Sequence, residues 1–273
     1  MKIFKVFFTL LIFFLLTSCE KVIDVDLKTA EPKLVIDASI NWQKNTTGNL
    51  QKIKLSTTTS YYSNTFPVFS GAEVTVTNSA NNVFKFIENA GTGVYVCTNF
   101  QPVIGETYTL KILANGQTYT ATETLMSVPN IENNIQQNNN GGPTGNDIEI
   151  TYFYQDNPSQ QNNYLYSFEH PEVAFPQYFL DNDENTQGKL TPVFYSHKDL
   201  KKNDVINIKM YGISKRYYTY FKKIINASGS NSGPFGTVPS EVRGNIINQT
   251  NASKYAYGYF RLSEVDVKSY TTQ

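Results

Sequence analysis

Histidine and cysteine are almost missing from this chain, with two of each among 273 residues. His170 and His197 are the only imidazoles and Cys19 and Cys97 the only thiols, so no Cys/His spacing offers the four ligands of a structural zinc site. Charge of one sign is missing too. Lysine plus arginine balances aspartate plus glutamate at 23 each, and composition therefore gives no sign of the strongly basic face that a nucleic acid needs. The longest apolar run, Phe7 to Leu16, is shorter than the roughly 20 residues that span a bilayer. Catalytic signatures are equally sparse. There is no Gly-x-Ser-x-Gly elbow, no phosphate-binding glycine loop and no dinucleotide fingerprint. A pair of carboxylates for glycoside hydrolysis needs only proximity in space, so the sequence leaves that one class open.

What is present begins at the amino terminus. Lys2 and Lys5 precede the apolar core, and Leu16-Thr17-Ser18-Cys19 closes it with small residues, as in a secretory signal. The segment resembles a bacterial lipobox. That resemblance implies removal of residues 1–18, a diacylglyceryl group on the Cys19 sulfur, and acylation of the new amino terminus. Each buried acyl CH₂ contributes about 0.8 kcal/mol, so several chains together anchor a protein firmly. Cys97 then stands alone, which rules out an intramolecular disulfide. Its setting, Gly93-Val94-Tyr95-Val96-Cys97, alternates as a strand does and predicts a small buried hydrophobe.

Residues 19–31 form a lipidated tether in which Glu20 to Lys28 alternates enough to dock as an edge strand. The remainder is long enough for two domains. Its composition, rich in Tyr, Phe, Thr and Val, favours sheet, and the predicted fold class is mainly β. Over 32–128 the period-2 pattern is persistent: Leu34–Ile40, Gln51–Ser56, Ala72–Thr77, Val83–Ile87, Val94–Cys97, Thr107–Ile112 and Tyr119–Thr124. Asn115-Gly116 supplies a type I′ hairpin signal between the last two. Seven short strands with turns every 8 to 12 residues predict an immunoglobulin-like β-sandwich. Pro129 marks the expected boundary, and 129–273 is predicted as a second β-rich domain. Its strands fall at Ile131–Gln137, Asp147–Tyr154, Tyr164–Phe168, Pro192–Tyr195, Val205–Tyr211, Tyr255–Leu262 and Val265–Val267, and its one α-helix near 214–226 is capped by Ser214. Asn138 to Pro143 reads as a loop too polar to pack, and Pro171 to Lys189 as irregular.

Two aromatic clusters are the candidate ligand-binding residues: Tyr61, Tyr62 and Phe66 in a loop, and Tyr178 with Phe179 after Pro176. Exposed rings there can stack on sugar faces or grip a peptide. Asp181-Asn182-Asp183-Glu184-Asn185 begins like a calcium loop. Thr186 then replaces the turn glycine and no glutamate closes the loop, which favours a solvated acidic turn. The two histidines read as structural or solvated. No catalytic residue, metal or cofactor is expected.

Several local patterns recur together: Cys-Glu-Lys-Val-Ile-Asp-Val-Asp at 19–26, Gly105-Glu106-Thr107-Tyr108-Thr109-Leu110, Tyr152-Phe153-Tyr154-Gln155-Asp156, Val242-Arg243-Gly244-Asn245-Ile246 and Gly258-Tyr259-Phe260. In this order they resemble the Bacteroidota lipoprotein family called domain of unknown function 4249. The resemblance implies a surface lipoprotein of the outer membrane, encoded beside TonB-dependent transporters. Lys21 followed by Asp24 and Asp26 resembles in part the export signal of that phylum. The leading expectation is a non-enzymatic accessory lipoprotein, bound to the bilayer through acylated Cys19 and serving a TonB-dependent transporter as substrate binder or cap. The alternatives are a stand-alone carbohydrate- or peptide-binding lipoprotein and an envelope hydrolase.

Overall fold

The computed structural model describes residues 31–60, 63, 65–228 and 241–273, and the tether with Cys19 lies outside them. Seven strands fill the first half: β1 (Leu34–Gln43), β2 (Gln51–Thr57), β3 (Glu73–Asn78), β4 (Val83–Asn89), β5 (Val94–Cys97), β6 (Thr107–Ala114) and β7 (Gln117–Thr124). Their alternation translates directly into burial. In β1 the even positions Leu34, Ile36, Ala38 and Ile40 are buried, and in β6 Tyr108, Leu110 and Ile112 are. Each fully buried Leu or Ile among them contributes about 1.5 to 3 kcal/mol. Asn115 and Gly116 take φ of 47° and 68° in the hairpin between β6 and β7, as the Asn-Gly signal requires. β4 is the corner of the sandwich. Phe84 and Phe86 pair it with β3, while Ile87 to Asn89 pairs with β5.

The second half adds β8 (Gln136–Gly141), β9 (Asp147–Gln155), β10 (Asn163–Glu169), β11 (Gln177–Asn182), β12 (Leu190–Ser196), β13 (Val205–Ile213), α1 (Lys215–Ala227), β14 (Ile247–Asn248) and β15 (Tyr257–Thr271). One twelve-stranded sheet runs β11-β10-β13-β15-β1-β2-β5-β4-β3-β6-β7-β14, and β12-β9-β8 forms a small second sheet. The protein is mainly β with sandwich-like, curled sheets. The small sheet covers one face of β10 and β13 through tyrosines: Tyr154 meets Tyr164 edge-on at 5.2 Å, and Phe168 stacks on Tyr195 at 4.0 Å. Helix α1 covers the other face, with Tyr217 packed near Leu165, Ile213 and Tyr259. Sandwiched this way, β10 is buried from Tyr164 through Phe168.

β15 joins the halves. Its first nine residues run parallel to β1, Val35 opposite Tyr257 through Gln43 opposite Val265. The remainder runs antiparallel to β13. Val128 belongs to the second apolar core and Leu125 to the first, so the cores divide close to Pro129. The chain nevertheless returns, because Ile246, Ala256, Phe260 and Leu262 are buried in the first core. Pro32–Gln273 is accordingly a single compact unit.

Several local expectations are corrected. Asn138 to Gly141 is not a free loop: it forms the second half of β8, paired to β9 with a register shift between Asn138 and Gly141. Backbone pairing at a sheet edge needs no apolar side chains, so a polar run can serve. The strand expected over Ile131–Gln137 begins only at Gln136, Ile131 making an isolated bridge to Tyr154. The irregular stretch holds β11, and the last two expected strands are one. Among the described residues no helix is long and apolar enough to cross a membrane.

Candidate functional site

The aromatic residues singled out by sequence do not form one site. Tyr61 and Tyr62 lie outside the described residues, and Phe66 is 70% exposed on the loop after β2. Tyr178 and Phe179 sit on β11, which β10, β13, β15 and β1 separate from β2. As neighbours on a strand they point to opposite faces. Tyr178 meets Phe221 of α1 at 5.8 Å, and Phe179 meets Phe168 at 5.8 Å and Tyr195 at 6.3 Å. Both rings therefore close the flanks of the core, and each remains just under half exposed.

The acidic turn is less solvated than its sequence implies. Asp183 is 1% exposed and accepts the Asn162 amide at 2.7 Å, and Asp181 accepts from the Tyr166 hydroxyl at 3.1 Å. These carboxylates satisfy the chain's own buried donors. Among the described residues no group of three or more His, Cys, Asp or Glu side chains is placed to hold a metal. The two histidines, His170 and His197, separated in sequence, meet with ring centroids 5.0 Å apart. His170 is buried and bonds the Tyr195 hydroxyl through Nε2 at 2.8 Å, and burial holds its pKa down, with His197 adding to the effect. Cys97 is buried, its thiol pushed up by burial.

The arrangement with the clearest chemical character was not read from the sequence. A groove of about 490 Å³ lies between α1 and residues 243–247, with Lys215, Arg216 and Lys223 on the helix side, Arg243 opposite, and Tyr220 and Tyr259 among its lining. Ser214 caps the helix by accepting the Tyr217 amide at 3.1 Å and donates to Glu123 Oε2 at 3.0 Å. The Tyr259 hydroxyl donates to the same Glu123 oxygen at 2.9 Å and accepts from Arg216 Nε at 3.2 Å. Arg216 also donates from Nη2 to the Thr122 carbonyl at 3.1 Å. One buried carboxylate thus ties β7, the helix cap and β15 together and fixes Arg216 at the groove.

The facing wall is braced differently. Asn245 accepts the Phe260 amide and donates to the Phe260 carbonyl, both at 2.8 Å, which clamps the segment onto β15. Arg243 pairs with Glu241 at 2.9 Å and lies 3.6 Å above the Tyr255 ring, which Lys33 also approaches at 3.4 Å. Hydrogen bonds from Tyr255 and Tyr257, then from Arg243, hold the Glu241 carboxyl at about 2. Burial pushes Tyr220 and Tyr259 up to about 12. Through the neutral range the tyrosines stay uncharged, and the cations other than Glu241-paired Arg243 set the sign of the groove. Among the described residues Lys215, Arg216 and Lys223 make no ion pair. Among the described residues that line it none carries a carboxylate or an imidazole, and the side chains it presents are mainly cations and hydrogen-bond donors. Part of this was legible: Lys215, Thr219 and Lys223 fall at i, i+4 and i+8 on one face of the predicted helix. Arg243 and Tyr259 arrive only through tertiary contact.

Comparison with known proteins adds one firm result. The family described as "Domain of unknown function (DUF4249)" matches residues 20–269. No curated protein matches. Among solved structures, a segment of two fibronectin type III domains from chicken tenascin is 13% identical, with 66% of this chain and 90% of that one covered at a TM-score of 0.22. A DUF4785 family protein from Legionella pneumophila is 7% identical, with 66% of this chain and 52% of that one covered at a TM-score of 0.28.

Proposed function

The chain belongs to the DUF4249 family, and from that premise we propose that it is a non-enzymatic lipoprotein of the outer membrane, of the Bacteroidota type, held at the surface by acylated Cys19 and working beside a TonB-dependent transporter as a binder of its substrate. The observation that carries the binding role is the groove beside α1, where braced Arg216 and Arg243, two lysines and two tyrosines line a space large enough for a small ligand. The anchor rests on Leu16-Thr17-Ser18-Cys19. A carbohydrate- or peptide-binding lipoprotein acting without a transporter uses the same groove and differs only in its partner.

Two measurements test this. The wild type is expected to fractionate with the outer membrane and to take up fatty-acid label, and Cys19→Ser to do neither, because the thiol that receives the diacylglyceryl group is gone. An acylated, membrane-bound Cys19→Ser protein refutes the anchor. Mild-detergent pull-down of the lipidated protein is expected to recover a β-barrel transporter. Recovery of none removes the accessory role and leaves the stand-alone binder.

A further inference from the structure

We propose that the groove beside α1 takes an acidic oligosaccharide, a short sugar chain bearing carboxylate or sulfate groups; this names the ligand class for the binding role proposed above and rests on it. Lys215, Arg216 and Lys223 make no ion pair among the described residues, and Arg243 is the one groove cation with a carboxylate partner. Exposed cations without a carboxylate partner give this wall a positive potential that draws an anion, an attraction that salt screens.

Lys215 and Lys223 are eight residues apart on one helix, which places them about 12 Å apart along its axis at 1.5 Å per residue. A single phosphate or carboxylate is held by donors that converge on it, often as a bidentate fork. Cations strung along a wall fit a ligand whose charges are strung along a chain. Tyr220 lies within the same helical stretch, propped by Tyr259 at 4.8 Å and Tyr217 at 6.0 Å, so its position is set before any ligand arrives. A fixed, uncharged phenol offers an apolar body and a polar tip, the combination that suits a sugar ring. An acidic peptide shares the charge, and arginines alone would take it; what favours the sugar is the braced phenol of Tyr220 standing among the cations.

The test is calorimetric titration of the full lipidated chain in detergent with four probes: an oligogalacturonate, a sulfated oligosaccharide of the same length, a neutral oligosaccharide of the same length, and inorganic triphosphate. Binding of one or both acidic sugars is expected, and the two arms tell carboxylate from sulfate. Affinity should weaken as salt shortens the Debye length from about 10 Å to about 3 Å. The double variant Lys215→Gln with Lys223→Gln, at exposed positions, should bind roughly ten-fold more weakly while melting like the wild type. Binding of the neutral sugar as tightly as the acidic ones overturns the charge argument, and triphosphate binding as tightly as either sugar overturns the sugar assignment. Acidic-sugar binding unchanged in the double variant overturns the site, and binding of no probe overturns the ligand class. None of these results disturbs the anchoring and pull-down outcomes, which judge the accessory role separately.

Discussion

Replacing Gly258 by alanine would place a methyl carbon 1.9 Å from the carbonyl oxygen of Ile36 and 2.7 Å from its carbonyl carbon, well inside any non-bonded contact. Gly258 stands opposite Ile36 in the parallel pairing of β1 with β15, at φ +101°, where L side chains are strained. Two penalties therefore add. Positive φ costs about 1 to 2 kcal/mol for a residue with a Cβ. Forcing backbone apart in a packed region costs about 1 to 3 kcal/mol more. The expected loss is about 2 to 5 kcal/mol, a fall in Tm of about 4 to 20 °C for a domain of this size. Gly116→Ala is the control, because Gly116 has φ +68° and nothing within 4 Å of a built Cβ. It should lose only the strain, about 1 to 2 kcal/mol. Parallel urea titrations followed by circular dichroism measure both. If Gly258→Ala is no less stable than Gly116→Ala, the close approach of β1 and β15 is not what demands glycine there, and the reasoning fails.

Two further predictions concern buried polar groups. The Tyr152 hydroxyl is buried without a hydrogen-bond partner among the described residues, whereas the Tyr164 hydroxyl donates to buried Asp156 at 2.6 Å. Tyr152→Phe should therefore leave stability unchanged or raise it by about 1 kcal/mol, and Tyr164→Phe should lower it by about 1 to 3 kcal/mol; equal losses in urea titration would contradict the assignment. His170 has its pKa held below the ordinary histidine value by burial and by His197, against the raising influence of Asp204, Glu172 and Asp199. Above the unfolded value near 6.5 both states are neutral at this site and it adds no pH dependence; as pH falls below that, the unfolded chain binds the proton first and stability declines until the folded pKa is passed. Urea midpoints measured from pH 8 to pH 5 should fall on the acid side in the wild type and fall less in His170→Asn, and an identical slope in the two would count against it.

Much of the first half could be read directly, because its strands are half-buried and, apart from β1 with β15 and β7 with β14, pair among themselves. Val94–Cys97 was expected with the bounds it has, and the Asn115-Gly116 turn set the β6–β7 register. The helix was legible from Ser214 and the spacing of its rings. Asn138 to Asn140 misled because an edge strand draws on backbone groups common to all residues, and the groove eluded the sequence because its walls lie on α1 and on residues 243–247.

By itself the sequence determined the mainly β character, the sandwich pattern, the helix and its cap, and the expectation of a lipid anchor, since each depends on residues within a few positions of one another. Tertiary structure alone decided that β15 runs parallel to β1 through Gly258, that His170 meets His197, that Asp183 is buried, and that Lys215, Arg216, Lys223 and Arg243 line one groove. Alternation of apolar side chains tells a strand which face to bury but not which edge to pair, because every backbone presents the same donors and acceptors. The choice of partner rests on whole faces of the fold, and the groove is a consequence of that choice.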